Sequence, residues 1–263
     1  PGVFYCKDAF EGLAIMDALT DQDKKTSLVE KTLRAAETEL GYSSKRVDNR
    51  DKLLGASNIS VSEAGFIPYP DKWGSHIVKS MPLEAVFECL SKKDLFRLSW
   101  GGKNTHGEVW NALEKEFESR LKSMRAQTIK DGWIKPQGIY AYFPAQSDGN
   151  TLIIYDPSSI SNGIYRQIMN FTFPRQPDGS RLCLADYFAS IASHRIDNAI
   201  FQIVTIGREA SERVKYLHDE GNFSEAYYTH GLSVQMAEAA AEYLHRHICK
   251  ELGLSSDQGK RYS

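Results

Sequence analysis

Metal-ligand cysteine spacing, long apolar runs and a dominant charge are all missing from this chain, and each absence removes a class of function. Its four cysteines, Cys6, Cys89, Cys183 and Cys249, are far apart and form no Cys-x-x-Cys pair. That leaves no zinc framework, and such sparse thiols fit a reducing compartment, so a cytoplasmic location is expected. Cys183 has no adjacent histidine to make it a nucleophile. No run approaches the ~18 apolar residues of a membrane-spanning helix. With 32 basic against 34 acidic residues the formal net charge is −2, which argues against nucleic-acid binding driven by phosphate neutralisation. Gly101-Gly102-Lys103 lacks the spacing of a phosphate loop. Internal repeats and low-complexity tracts are absent as well.

What remains is an ordinary globular composition, 263 residues with 41% hydrophobic and 25% charged, enough for one large domain or two small ones. Val3–Tyr5 reads as a strand, and Asp8 with Glu11 as the capping box of a helix that turns Leu13, Ile15, Met16 and Leu19 inward. One strand and one helix cannot bury a core, so residues 1–25 are expected to be the tail of an α/β domain rather than a domain themselves. Lys24 to Leu40 is a charged helix closed by Gly41, and the polar stretch to residue 64 reads as a linker.

From Gly65 the composition shifts. Ile67-Pro68-Tyr69-Pro70 is extended, His76–Val78 a short strand, and Met81–Leu90 and Leu95–Trp100 short helices. Glu108–Lys130 has helical period with Trp110, Leu113, Phe117 and Leu121 inward. The period then drops to two. Gly138–Phe143 and Thr151–Tyr155 flank Ser147-Asp148-Gly149-Asn150, a hairpin signal. Arg166–Phe173 and Phe201–Ile206 add strands, Leu182–Phe188 reads as a packed helix, and Gly231–Leu254 is a long final helix. Hairpin-joined strands between helices predict an α+β fold with an antiparallel sheet. Phe4, Ile15, Trp110, Phe117, Ile139, Tyr142, Ile153, Phe171, Phe201, Val204 and Leu244 are expected to be buried.

On the final helix Glu238, Glu242 and His245 fall at i, i+4 and i+7, one stripe of two acids and an imidazole beside small alanines. Three readings apply. The acids can simply be a solvated face. A metal would need converging ligands, but His245 and His247 point to different faces. Alternatively, a carboxylate on a rigid helix recognises an ammonium or sulfonium while Arg261 grips a carboxylate, which describes an amino acid or its derivative. Arg120, Lys122, Arg125 and Lys130 could face an acidic partner, or only water.

Several blocks together resemble the C-terminal reactivation module of the cobalamin-dependent methionine synthase family. They are Lys135-Pro136-Gln137-Gly138-Ile139-Tyr140, Phe143-Pro144-Ala145, Phe173-Pro174-Arg175-Gln176, Leu182–Phe188, Val204-Thr205-Ile206-Gly207 and Ala237–His245. Trp73-Gly74-Ser75 with Met81-Pro82-Leu83 looks like the module's entry, and Lys7–Leu13 like the last strand and helix of the preceding cobalamin-binding domain. The resemblance implies a C-shaped α+β module over residues 65–263, with residues 26–64 a helix and linker. Its implied function is S-adenosylmethionine binding, for reductive methylation of oxidised cobalamin with flavodoxin or a similar electron donor. Catalysis of methionine formation, with its zinc, would lie in other domains, and a docking module without turnover is the alternative. Carried over by position, Glu238 answers the ligand's amino group, Arg261 opens the ligand loop, and Ser263 makes a main-chain contact. Two acids of the family pattern fall on Ser99 and Ser255, the latter with Asp257 close by. The rest of the loop would follow Ser263, so the sequence is expected to be part of a longer one.

Overall fold

The computed structural model describes residues 15–16, 18–21, 24–34, 61, 65–176 and 181–254. Val3–Tyr5, Asp8, Glu11, Gly41, Ser255, Asp257, Arg261 and Ser263 lie outside them. The chain divides into two compact units, Pro1–Ser60 with Pro174–Cys183, and Val61–Phe173 with Leu184–Ser263. In the first, residues 15–16, 18–20 and 24–34 are helical. Met16, expected inside, is exposed.

The second unit is α+β. In chain order it runs β1 (Gly74–Val78), α1 (Leu83–Glu88), α2 (Gly107–Asp131), β2 (Gln137–Asp148), β3 (Thr151–Tyr155), β4 (Gln167–Thr172), β5 (Asp197–Thr205), α3 (Arg208–Asp219) and α4 (Phe223–Glu251). All pairings in the five-stranded sheet are antiparallel, and the twelve-residue β2 is its spine. One edge of β2 pairs with β5, from Gln137↔Thr205 to Ala145↔Asp197. The other edge is shared, by β1 along Gly138–Tyr142 and by β3 along Ala145–Asp148.

The main core lies between one sheet face and the helices. Tyr140, Tyr142, Phe96, Phe117, Met236 and Leu244 belong to one buried cluster. α2 buries Phe117, Leu121, Met124 and Thr128 at helical spacing, and Gly132 ends it in the left-handed conformation, φ 65°. Thr128 is fully buried, and its hydroxyl donates to the Met124 carbonyl at 2.7 Å, so its burial leaves no unpaired donor.

The helical period continues through Gly231, and α4 begins eight residues earlier, at Phe223. Glycine there permits close approach rather than marking a start: an added Cβ would lie 2.8 Å from the Trp100 ring and 3.1 Å from the Ser99 carbonyl. Trp100 is buried against α4 and donates its indole N–H to the Tyr228 carbonyl at 3.0 Å. It follows a five-residue π-helical turn, Leu95–Ser99, closed by the Trp100 amide bonding the Leu95 carbonyl at 2.8 Å. The wide turn buries Leu95 and Phe96. α3 escaped the sequence reading because its surface is polar except for a narrow stripe, with only Ala210 fully buried. Leu184–Tyr187 forms a 3-10 turn rather than the expected helix.

Two residues expected in the core are exposed, Ile139 at 36% and Phe201 at 40%. Strand parity explains both. Ile139 and Tyr142 are three apart on β2, so they project from opposite faces; Tyr142 points into the core, and Ile139, with Phe201 opposite Ala141, onto the other face. Trp110, Ile153, Phe171 and Val204 are half-buried, whereas Phe117, Tyr142 and Leu244 are fully buried. Trp110 is covered by the Arg97 guanidinium, 3.2 Å from its ring centre. Arg97 also donates to the carbonyls of Gly102 and Thr105 at 3.0 and 2.7 Å.

Candidate functional site

Helix α4 buries Leu232, Met236, Ala239, Ala240, Leu244 and Ile248 on one side. The spacing that sends these residues inward leaves Gln235, Glu238, Glu242 and His245 along an adjoining stripe. That stripe is one wall of an open groove of about 760 Å³. The opposite wall comes from the end of α1 and the turn after it, Cys89, Ser91, Asp94 and Leu98, and β5 contributes Gln202. Such a volume suits a nucleoside-sized ligand.

Each wall is held from behind. Ser91 caps the turn by accepting from the Asp94 amide at 3.3 Å. Gln235 donates to the Ser99 hydroxyl at 3.1 Å, tying α4 to the π turn. Gln202 donates to the Ala241 carbonyl at 3.4 Å, tying β5 to α4. Ser99 therefore serves as a bracket. Asp94, five residues earlier, supplies a carboxylate to the groove. Sequence reasoning missed Asp94 and Gln202 because nothing local distinguishes them from other surface residues.

The groove is electrostatically uneven. Glu242 accepts from the Arg246 guanidinium at 2.7 Å across one helical turn. That bond raises the arginine's pKa and keeps it charged. Neither Asp94 nor Glu238 has an ion-pair partner among the described residues. Cys89 and Cys249 flank the Arg246 end, and the Cys249 sulfur lies 3.5 Å from His245 Nε2. Burial pushes both thiols up, and Glu242 adds to the effect. They are held as neutral thiols, not as nucleophilic thiolates. Among the described residues no group of three or more His, Cys, Asp or Glu side chains is arranged to hold a metal ion.

The structure thus places Glu238 and brings Glu242 and His245 beside it; Arg261 and Ser263 lie outside the described residues. Of the basic positions on α2, Arg120 is engaged within the unit, while Arg125 is exposed. Arg120 pairs with Glu225 and lies 4.0 Å from the Tyr228 ring centre, and Arg125 lies over Phe87 at 5.2 Å. Arginine's flat, weakly hydrated head favours such stacking.

At the C-terminal end of α4, Glu251 joins helix to sheet. Its carboxylate accepts from Tyr140 at 2.6 Å and Tyr142 at 3.0 Å, and His76 stacks on Tyr140 with ring centres 4.9 Å apart. Burial pushes both phenols well above their ordinary range, and the bonds to Glu251 push them further. For Glu251 itself burial acts upward, but the two phenol bonds, with His76 and His247 nearby, together outweigh it and hold its pKa below the usual glutamate value.

The sequence profile of the family described as "Vitamin B12 dependent methionine synthase, activation domain" matches residues 103–260. Methionine synthase of Mycobacterium tuberculosis is 30% identical over 97% of this chain, and that of Mycobacterium leprae is also 30% identical over 97%. The chain spans 23% of the length of each. Its fold is similar to the crystal structure of the MetH reactivation domain bound to AdoHcy, with a TM-score of 0.61 at 20% identity, covering 74% of this chain and 60% of that one.

Proposed function

The chain belongs to the family of vitamin B12 dependent methionine synthase activation domains, and from that premise we propose that the α4 groove binds S-adenosylmethionine as the methyl donor that restores oxidised, inactive cobalamin. The observation that carries this reading is Glu238, a carboxylate without an ion-pair partner among the described residues, set among alanines on a rigid helix wall of a nucleoside-sized groove. The similar fold crystallised with AdoHcy supports the same ligand class.

In this reading Glu238 accepts hydrogen bonds from the ligand's ammonium group, Arg261 grips its carboxylate, and Ser263 offers a main-chain contact. The sulfonium makes the methyl group electrophilic. Cobalamin, when bound by the neighbouring domain of the same longer protein, supplies the nucleophile. This chain's own part is to hold and orient the donor. The tail of that cobalamin domain would be residues 1–25. Flavodoxin or a similar reductant would deliver the electron, in the cytoplasm, and the methyltransferase turnover that makes methionine would belong to the whole protein.

Calorimetry with S-adenosylmethionine tests the site on the full-length protein. Glu238→Gln and Arg261→Ala should each weaken binding about ten- to a hundred-and-fifty-fold, the loss of one charge-assisted hydrogen bond. The unfolding midpoint should not move. Unchanged affinity in both variants would refute the site.

A further inference from the structure

S-adenosylmethionine and its spent form share the adenosine, the ammonium and the carboxylate. They differ in one methyl group and one positive charge on sulfur. A groove that recognised only the shared groups would hold both alike. The α4 groove carries more than the shared groups require. Glu238 matches the ammonium. Asp94, on the opposite wall, is a second carboxylate lining the same cavity, likewise without an ion-pair partner among the described residues. The third, Glu242, is neutralised by Arg246 at 2.7 Å. The wall amides add no charge of either sign, and their nitrogens are turned to the fold, Gln235 donating to Ser99 and Gln202 to Ala241. The groove therefore presents two uncompensated negative charges. The charged donor brings two cations, its ammonium and its sulfonium, and the spent thioether brings one.

We propose that Asp94 makes the groove select the sulfonium form of its ligand over the thioether form, and that the Glu242–Arg246 pair sets how strong the selection is. The proposal rests on the reading of this groove as the S-adenosylmethionine site. One charge felt across about 5 Å of half-hydrated groove corresponds to roughly tenfold in affinity. The methyl donor is thereby retained, and the product loosens as soon as its charge is gone. Because the groove is open to water, the preference should shrink as salt rises toward ~1 M, where the screening length is only about 3 Å.

The test measures dissociation constants for S-adenosylmethionine and for S-adenosylhomocysteine by calorimetry, on the full-length protein. The wild type should favour the sulfonium ligand about tenfold. Asp94→Asn should bring the ratio near one, chiefly by weakening the sulfonium ligand, with the thioether changed less than about twofold. Arg246→Gln should move the ratio the other way, above the wild-type value, because Glu242 is then uncompensated. All three side chains are at the surface of the groove, so unfolding midpoints should stay close together. Equal affinities in the wild type, an equal loss for both ligands in Asp94→Asn, or no rise in Arg246→Gln would overturn the proposal while leaving the binding site standing. Failure of both ligands to bind the wild type would overturn the site assignment itself.

Discussion

The two faces of the five-stranded sheet are built from similar apolar side chains but meet different neighbours. On the face toward α4, Tyr140 and Tyr142 are buried among Met81, Leu244 and Ile248. Gly138 leaves room for the helix, since a Cβ there would lie 2.9 Å from the Leu244 side chain. The opposite face divides along its length. At one end Ala145, Leu152, Ile154 and Ala199 are buried beneath Phe171, Phe173 and Phe188. At the other, Ile77 and Ile203 flank Ile139 across three strands and are each 72% exposed. Alternation along a strand separates two faces but does not say which one receives the helices. That depends on where the connections carry α1, α2 and α4.

The largest contrast should come from phenylalanines of equal size on the two sides. Phe117→Ala, at a site 1% exposed and packed on Phe96 and Trp100, should cost about 3–5 kcal/mol in denaturant unfolding. If it cost under ~1 kcal/mol, the helical side would not be the well-packed core inferred for it.

Next in size is Gly231→Ala. Alanine improves helix propensity by about 1 kcal/mol, but its Cβ would press on the buried Trp100 ring and on backbone at Ser99, and such overpacking costs about 1–3 kcal/mol. Net destabilisation is expected, together with weaker S-adenosylmethionine binding, since the π turn that follows Asp94 would be pushed away from α4. A stabilised variant with unchanged binding would show that the contact is not tight.

Glu251→Gln probes the seam between α4 and the covered face. Two phenol bonds to one water-accessible carboxylate should contribute about 1–2 kcal/mol at neutral pH. The sign follows from the depressed pKa of Glu251: its contribution is complete above the unfolded-state value, about 4.3, and is lost as pH falls through the folded-state value. The phenols, whose pKa values are raised, contribute below about pH 10 and lose that contribution as pH rises through their folded values. The difference in unfolding midpoint between wild type and Glu251→Gln should therefore be flat around neutrality and close below about pH 4. A gap that persisted into acid would mean that the carboxylate's charge is not what matters.

Phe201→Ala should have the smallest effect, about 1 kcal/mol, because the ring is already part-exposed and its aromatic contacts are an edge-on one with Phe143 and a tilted one with Phe171. A loss as large as that of Phe117→Ala would mean that this end of the face is covered in solution.

Much of the fold was legible in local pattern. The helical period marks α2 and α4, the polar turn at Gly149-Asn150 marks the β2–β3 hairpin, and the i, i+4, i+7 spacing alone places Glu238, Glu242 and His245 on one stripe. These are properties of a single element, where geometry over a few residues decides the outcome. The length of β2 past Phe143, the interior role of Gly231, the exposure of Ile139 and Phe201, and the engagement of Arg120 depend on which elements meet. The groove is the clearest case. The sequence by itself determined that one wall carries carboxylates beside alanines. Only tertiary packing brought Asp94 and Gln202 opposite Glu238 and left two of the three groove carboxylates without a described ion-pair partner. The reason is physical: an electrostatic field sums over neighbours in space, and Asp94 stands more than a hundred residues before Gln202 and Glu238 in the chain.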